Sequence, residues 1–185
     1  DRSVSRGLGD VYKRQIYYGD EIGLRYVEGL TSVEGGYGRT GSRSPMQWDK
    51  TPNAGFSCAP AEKLYVRQDD APDRPDAASQ CADEASLRSE VKRLIALRMA
   101  HPALQSKGTV SFCADNYPLA YVRSSAEESI LVIINPSAAP AVLSAEELCA
   151  LNKELLYTVG GTVKENADHA LQVDGGTAAF ISLTK

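Results

Sequence analysis

The chain has 185 residues, 43% apolar and 24% charged, the balance of an ordinary globular protein that buries a core without disulfide or metal staples. Twenty Lys and Arg against twenty-four Asp and Glu leave a formal charge of −4, which disfavours a nucleic-acid binder, since those carry a basic excess. No apolar run is long enough to span a membrane.

Cys58, Cys81, Cys113 and Cys149 form no CxxC pair and no Cys/His ligand spacing, which argues against zinc and for scattered reduced thiols. His101 and His169 are the only histidines and stand far apart, poor material for a Ser-His-Asp hydrolase.

Residues 1–15 begin without Met, show no signal-peptide pattern and lack periodicity. The run from Ser5 to Gln15 resembles a translated sequencing-adaptor junction, so 1–15 is expected to be an artefactual or disordered leader. It passes directly into Ile16-Tyr17-Tyr18-Gly19, which reads as the end of a buried strand. A strand with no preceding turn points to truncation. Residues 24–80 are rich in Gly, Pro, Asp and Ser and have no sustained period. Such a stretch inside a compact domain is generally functional. The glycines at 35, 36 and 38 supply backbone freedom, and 69–76 reads as a solvated turn region.

A helix is expected next, with Ser86 as N-cap. Leu87, Val91, Leu94, Ile95 and Arg98 share one face, and Leu97 and Met99 widen the apolar stripe. His101-Pro102 ends it, because a residue before proline avoids the α region. After Gly108 the pattern becomes β, with strands expected at 109–112, 119–123, 129–134, 155–159 and 178–183. The unbroken apolar run 130–134 predicts a central strand buried on both faces. Residues 144–152 suggest one short helical turn. Asn135-Pro136, Gly160-Gly161 and Asp174-Gly175-Gly176 are turn signals, and the spacing suggests a small antiparallel sandwich.

Two stretches go beyond generic structure. One is Ile16-Tyr17-Tyr18-Gly19-Asp20-Glu21-Ile22-Gly23-Leu24. The other is Gly38-Arg39-Thr40-Gly41-Ser42-Arg43-Ser44-Pro45-Met46-Gln47-Trp48-Asp49, followed by Pro52-Asn53-Ala54-Gly55-Phe56-Ser57. In this order they resemble the α-amylase family, glycoside hydrolase family 13, and within it the α-glucosidase and oligo-1,6-glucosidase branch. The resemblance implies a fold class of α/β barrel remnant, the last βα unit of a TIM barrel, plus an all-β C-terminal sandwich. It places the end of the (β/α)8 barrel with its long active-site loop at 16–106 and the sandwich at 107–185. The region after Gly108 is the part expected to fold alone.

The resemblance also implies the chemistry. A retaining α-glycosidase needs two carboxyl groups about 5 Å apart, one a nucleophile and one an acid/base. In the family these and a third carboxylate arise from strands upstream of Ile16, so no catalytic nucleophile or acid is assigned here, and the fragment alone is expected to be inactive. Asp20 and Glu21 are not taken as the pair, since neighbours in a strand point to opposite faces. They are expected near the active-site face, chiefly holding the loop and secondarily touching substrate.

Arg43 is the leading substrate-binding candidate. The arginine before the Ser-Pro-Met-Gln-Trp run reaches the terminal glucose in the enzymes it resembles, and a guanidinium fork suits neighbouring sugar hydroxyls; the alternative is a loop-bracing salt bridge. Arg39 is assigned a structural or outer-pocket role, because Thr40 stands where the family has Asp. Tyr37 is placed at the pocket entrance. Trp48 is expected to pack the loop more than to stack on sugar, and Gln80 to be structural.

The expected substrate is an α-linked gluco-oligosaccharide, with no nucleic-acid or membrane partner and with the missing N-terminal barrel as structural complement. No cofactor is implied, though the family allows calcium in the parent; no ligand cluster for it stands in this sequence. The scattered thiols favour a cytoplasmic location. Two other readings stay open: a transglycosylase or isomerase of the same family, of trehalose or sucrose type, and a non-catalytic carbohydrate-binding module.

Overall fold

The computed structural model describes residues 16–113, 117–144, 148 and 152–184. The expected leader at 1–15, and most of the helical turn expected at 144–152, lie outside them. The chain divides into two compact units, one up to Arg93 and one from Leu94.

The first unit has little regular structure. It contains 3-10 turns at Asp20–Ile22, Thr40–Ser42, Pro52–Gly55 and Ala61–Lys63, a short helix α1 (Ala77–Ala82) and the start of α2 (Leu87–Ala100). The strand end expected at 16–19 is not formed. Ile16, Tyr17 and Tyr18 are exposed, and the chain turns, with Asp20 N–H donating to the Tyr17 carbonyl at 3.1 Å. No neighbouring strand pairs with this segment among the described residues, and an apolar run without a ladder partner has nothing to hold it extended. The unit's buried apolar side chains are few, Ile22, Leu30, Pro45, Met46 and Ala54, and the polar Thr40, Ser44, Gln47, Asp69, Asp76 and Ser86 are buried beside them.

The expected solvated turn at 69–76 is only partly so, because both its outer aspartates are buried. Asp69 accepts from Arg25 at 3.0 Å and from the Ala71 amide at 3.0 Å. Asp76 caps α1, accepting from the Ser79 amide and hydroxyl, each at 2.7 Å. Burial pushes the Asp76 carboxyl up, but the two Ser79 bonds and the nearby Lys50 and Arg74 outweigh it and leave it below the usual range. Helix α2 begins as expected, with the Ser86 hydroxyl accepting from the Ser89 amide at 3.2 Å, and it ends one residue before His101-Pro102. None of its residues is buried: Leu87, Ile95 and Met99 are all exposed.

The second unit is a pair of antiparallel sheets. Its strands are β1 (Thr109–Phe112), β2 (Leu119–Ser124), β3 (Ser129–Asn135), β4 (Ala141–Leu143), β5 (Asn152–Val159), β6 (Val163–Glu165), β7 (Leu171–Val173) and β8 (Thr177–Thr184). One sheet runs β1-β2-β3-β8-β5 and the other β4-β7-β6. The five strands read from the sequence form the larger sheet. The three of the smaller sheet were missed, since three residues are too few to display an alternation.

Strand β3 explains its own unbroken apolar run. Leu131 and Ile133 join Leu143, Leu171 and Val173 of the second sheet and Ile181 of β8 in the main core. Ile130 and Val132 point the other way and pack with Ala103, Tyr121 and Phe180. Alternation has no polar side to show when both faces are covered. Burial of such side chains is worth about 1.5–3 kcal/mol each, and β3 supplies four of them.

Two polar clamps finish the unit. Asn135, 1% exposed, directs its amide at the carbonyls of Ala139, Val173 and Asp174 at 2.9, 3.2 and 3.0 Å, and accepts from the Ser137 amide and hydroxyl. The second clamp seats the 3-10 turn Pro102–Leu104 on β2 and β3. Glu128 accepts from the Ala103 amide at 3.0 Å and meets His101 Nδ1 at 2.8 Å, while Arg123 donates to the carbonyls of Ala103 and Gln105. Burial pushes the Glu128 carboxyl up, but these bonds outweigh it and hold it below the ordinary glutamate range.

Asn135→Ala leaves several buried carbonyls unpaired and is expected to cost about 2–4 kcal/mol in urea unfolding followed by β-sheet circular dichroism; a change within 0.5 kcal/mol would contradict the clamp. For Glu128 the sign follows from its depressed folded pKa. Its stabilisation is complete above the unfolded glutamate value and is lost as pH falls through the lower folded one. The urea midpoint of Glu128→Gln is therefore expected below that of the unsubstituted chain at neutral pH, with the gap closing in acid.

Candidate functional site

The first unit presents two adjoining cavities. The larger, of about 440 Å³, is bordered by Tyr18, Glu21, Arg43, Trp48, Phe56 and Tyr65. The smaller, of about 270 Å³, is bordered by Ser32, Glu34, Tyr37, Arg39, Thr40 and Arg43. Tyr18, Arg43, Tyr65 and Val66 line both, so the two spaces share a wall to which Arg43 belongs.

Each wall has a local cause. Gly19 and Gly23, at φ 89° and 69°, bracket the 3-10 turn that carries Asp20 and Glu21. Both acids fold back on it: Asp20 accepts from the Tyr17 amide at 2.9 Å, and Glu21 from the Gly19 amide at 2.7 Å. Glu21 borders the larger cavity, whereas Asp20 borders neither. The Tyr18 hydroxyl donates to the Ser44 carbonyl at 3.1 Å, tying the first motif to the second. Burial, and then the neighbouring Tyr17, push the Tyr18 phenol up.

Arg43 follows the turn Thr40–Ser42, its amide donating to the Thr40 carbonyl at 3.0 Å. Its guanidinium is exposed and no carboxylate pairs with it among the described residues, so the salt bridge weighed as its alternative role is absent there. The next four residues, Ser44 to Gln47, are all buried, which anchors the arginine from behind. Gln47 is fully buried, and neither end of its amide meets a partner among the described residues. Arg39 lies over the Tyr37 ring at 5.8 Å, a cation–π contact. Thr40, where an aspartate was looked for, is buried and accepts from the Tyr37 amide at 3.2 Å, so it closes this turn and offers Arg39 no charge.

The far wall depends on a left-handed turn. Asn53, Ala54 and Gly55 have φ of 52°, 54° and 66° in succession. Their cost is offset by local bonds: Trp48 N–H donates to the Ala54 carbonyl at 2.9 Å, and the Asn53 amide donates to the carbonyls of Ser57 and Ala59. Gln68 donates to the Asn53 carbonyl at 2.9 Å. The amides of Ala77 and Ala78, opening α1, donate to the carbonyls of Gln47 and Trp48 at 2.9 Å each. Trp48 is thus held by its backbone while its ring, 52% exposed, faces the larger cavity.

The structure brings Arg43 and Glu21 to one cavity, and Arg43, Arg39 and Tyr37 to the other. Tyr18, Phe56 and Tyr65 were not singled out from sequence. The first two lie within the quoted motifs. Tyr65 carries no sequence signal; it arrives through the pairing of Ser32 with Val66 and the 3.0 Å bond from Val33 N–H to the Tyr65 carbonyl. Among the described residues no group of three His, Cys, Asp or Glu is placed to hold a metal, and no helix is long and apolar enough to cross a membrane.

Comparison with known proteins agrees with these motifs. Residues 11–107 match the α-amylase family in its catalytic domain. The chain is 31% identical over 181 residues to a probable α-glucosidase of Rhizobium meliloti, an alignment covering 91% of this chain and 31% of that protein. It is 34% identical over 134 residues to the trehalose synthase/amylase TreS of Mycobacterium tuberculosis, covering 68% and 21%. The crystal structure of the trehalulose synthase MutB from Pseudomonas mesoacidophila superposes with a TM-score of 0.64 at 26% identity, covering 79% of this chain and 26% of that one. The chain therefore spans less than a third of the length of each of these relatives.

A methyl group on Gly55 would fall 2.7 Å from the Asp49 carboxylate at a positive φ. Gly55→Ala is expected to cost about 1–3 kcal/mol and to shift Trp48 emission, because Asp49 and the Ala54 carbonyl are both bound to the Trp48 segment. Unchanged emission and unchanged stability would mean that the turn does not set this wall.

Proposed function

The chain belongs to the α-amylase family, and on that premise we propose that it serves a retaining α-glycosidase acting on α-glucosidic bonds of oligosaccharides, of the α-glucosidase or oligo-1,6-glucosidase type. In this reading residues 16–106 are the last βα unit of a (β/α)8 barrel with its active-site loop, and 107–185 are the C-terminal β-sandwich. The nucleophile and the acid/base come from the rest of the barrel. This chain's part is to bind and orient the sugar.

The observation that carries the reading is Arg43, an exposed guanidinium without a carboxylate partner among the described residues, on the wall shared by two cavities and fixed by a buried backbone. A planar fork so placed donates to adjacent hydroxyls of one pyranose, which favours a terminal glucose and so exo-action. Glu21 can accept from a hydroxyl with the oxygen not bound to Gly19. Arg39 and Tyr37 form the outer rim, and Asp20 holds the turn. The exposed, unbridged thiols of Cys58 and Cys81 fit a reducing compartment, hence the cytoplasm.

A second reading, transfer or isomerisation instead of hydrolysis, is favoured by the kinship to TreS and MutB, which are named as synthases. Both outcomes pass through one glycosyl-enzyme, and product analysis with maltose, isomaltose and sucrose separates them.

The test of Arg43 is Arg43→Ala in the complete enzyme. Loss of one charge-assisted sugar contact is expected to lower kcat/KM by the equivalent of about 2–4 kcal/mol. An unchanged kcat/KM would sink the proposed role.

A further inference from the structure

We propose that two copies of this chain join edge to edge through strand β1 as a closed, two-fold dimer. Strand β1 ends the larger sheet, and all of its residues, Thr109 to Phe112, are exposed. Its pairing with β2 shows which peptide groups are left over. Opposite residues in an antiparallel pair alternate between those that exchange hydrogen bonds and those that do not. The Cys113 amide donates to the Ala120 carbonyl at 2.9 Å, so in the observed register Ser111 and Thr109 also turn their peptide groups to β2. Val110 and Phe112 therefore direct their amides and carbonyls away from the sheet.

These leftover groups are complementary to themselves. With a two-fold axis at Ser111, Val110 of one copy lies opposite Phe112 of the other, and the converse. Each such pair exchanges bonds in both directions, so every outward amide and carbonyl of the two strands is used. The side chains agree. Val110 and Phe112 share a face of the strand, the face of Tyr121, whose ring centroid is 6.0 Å from that of Phe112. The dimer sets a branched side chain against an aromatic one, a cross-strand combination that stabilises sheets. Strand β1 contains no charge. The sequence flanks it with Lys107 and Asp115, opposite in sign and equally far from Ser111, so an antiparallel approach of two copies is charge-complementary.

The other edges explain why the occupant is a second β1. Strand β5 carries Lys153 and Glu154 and a register shift between Leu155 and Tyr157, features that keep an edge from pairing. Strands β4 and β6 have three residues each, and β6 carries Lys164 and Glu165. An edge that pairs only with its own copy closes at two, whereas β1 joined to a different edge would grow a filament. Two strands of four residues bury less than the roughly 1,200 Å² of a standard interface, so the association is weak.

The test is sedimentation equilibrium of the full 185-residue chain between about 10 μM and about 1 mM. The mean mass is expected to rise from 19.9 kDa towards that of a dimer and to stop there. Over the same range, amide hydrogen exchange at Val110 and Phe112 is expected to slow, while that at Ser111, already bonded to β2, stays constant. Val110→Pro removes an outward amide and leaves the bonds to β2 in place. Val110→Lys keeps the amide and sets a charge against Phe112 of the other copy. Each is expected to weaken the dimer by about tenfold or more, with far-UV circular dichroism unchanged. A single chain at every concentration would overturn the proposal. So would a dimer that survives both substitutions, growth past two copies, or exchange at Val110 and Phe112 that ignores concentration.

Discussion

A stretch of chain with almost no helix or strand must find partners for its peptide groups elsewhere, and residues 24–80 find them in irregular turns of their own backbone and in their own side chains. Asn53, Gln68, Asp69 and Asp76 each serve backbone groups within the stretch, and Gln80 reaches out of it, donating to the Ile22 carbonyl while accepting from the Arg88 amide. The rest of the first unit depends on this arrangement. The cavity walls are loop residues, and a loop presents a side chain reproducibly only if its backbone is tied at short intervals. The small apolar core of Ile22, Leu30, Pro45, Met46 and Ala54 could not do this alone.

The second unit is organised on the opposite principle. Its backbone is paired in two ladders, and its side chains are free to be apolar. The buried polar side chains stand at strand ends, Asn135 closing β3 and Thr177 opening β8, and Glu128 lies in the β2–β3 turn. The two units thus divide the labour: side-chain hydrogen bonds shape a surface rich in unusual geometry, and apolar layers supply a rigid sandwich. Positive φ at Asn53, Ala54 and Gly55 belongs to the first kind of construction, where local strain is tolerated because several bonds oppose its release.

The legibility of the chain follows the same division. Long strands announce themselves, and the doubly buried β3 could be read from 130–134 because no polar residue interrupts it. Strands β4, β6 and β7 have three residues each, and their existence is decided by partners, which a linear pattern does not display. The same logic misread Ile16-Tyr17-Tyr18: the residues favour a strand, yet two glycines at positive φ and the absence of a pairing edge among the described residues turn the chain instead. At the site, Glu21, Tyr37, Arg39 and Arg43 were singled out through the motifs that carry the resemblance, whereas Tyr18 and Phe56 of the same motifs were not. Tyr65 was not, since it is brought in by backbone pairing with a segment half the stretch away. The buried capping role of Asp76 was hidden among acidic neighbours that are solvated.

The position of β8 has a consequence for how the sandwich comes into being. This strand, 177–184, lies between β3 and β5 and so occupies an interior place in the larger sheet. Strands β1 to β3 can zip together as a local meander while the chain is still being synthesised, but β5 has no edge to join until β8 has been made. Until then β3 presents an unsatisfied apolar edge to whatever surrounds it. Sheet closure is therefore a late, long-range event with a high entropic threshold, and a nascent chain stalled before residue 177 would expose the most hydrophobic strand of the unit to chaperones, proteases and other copies of itself.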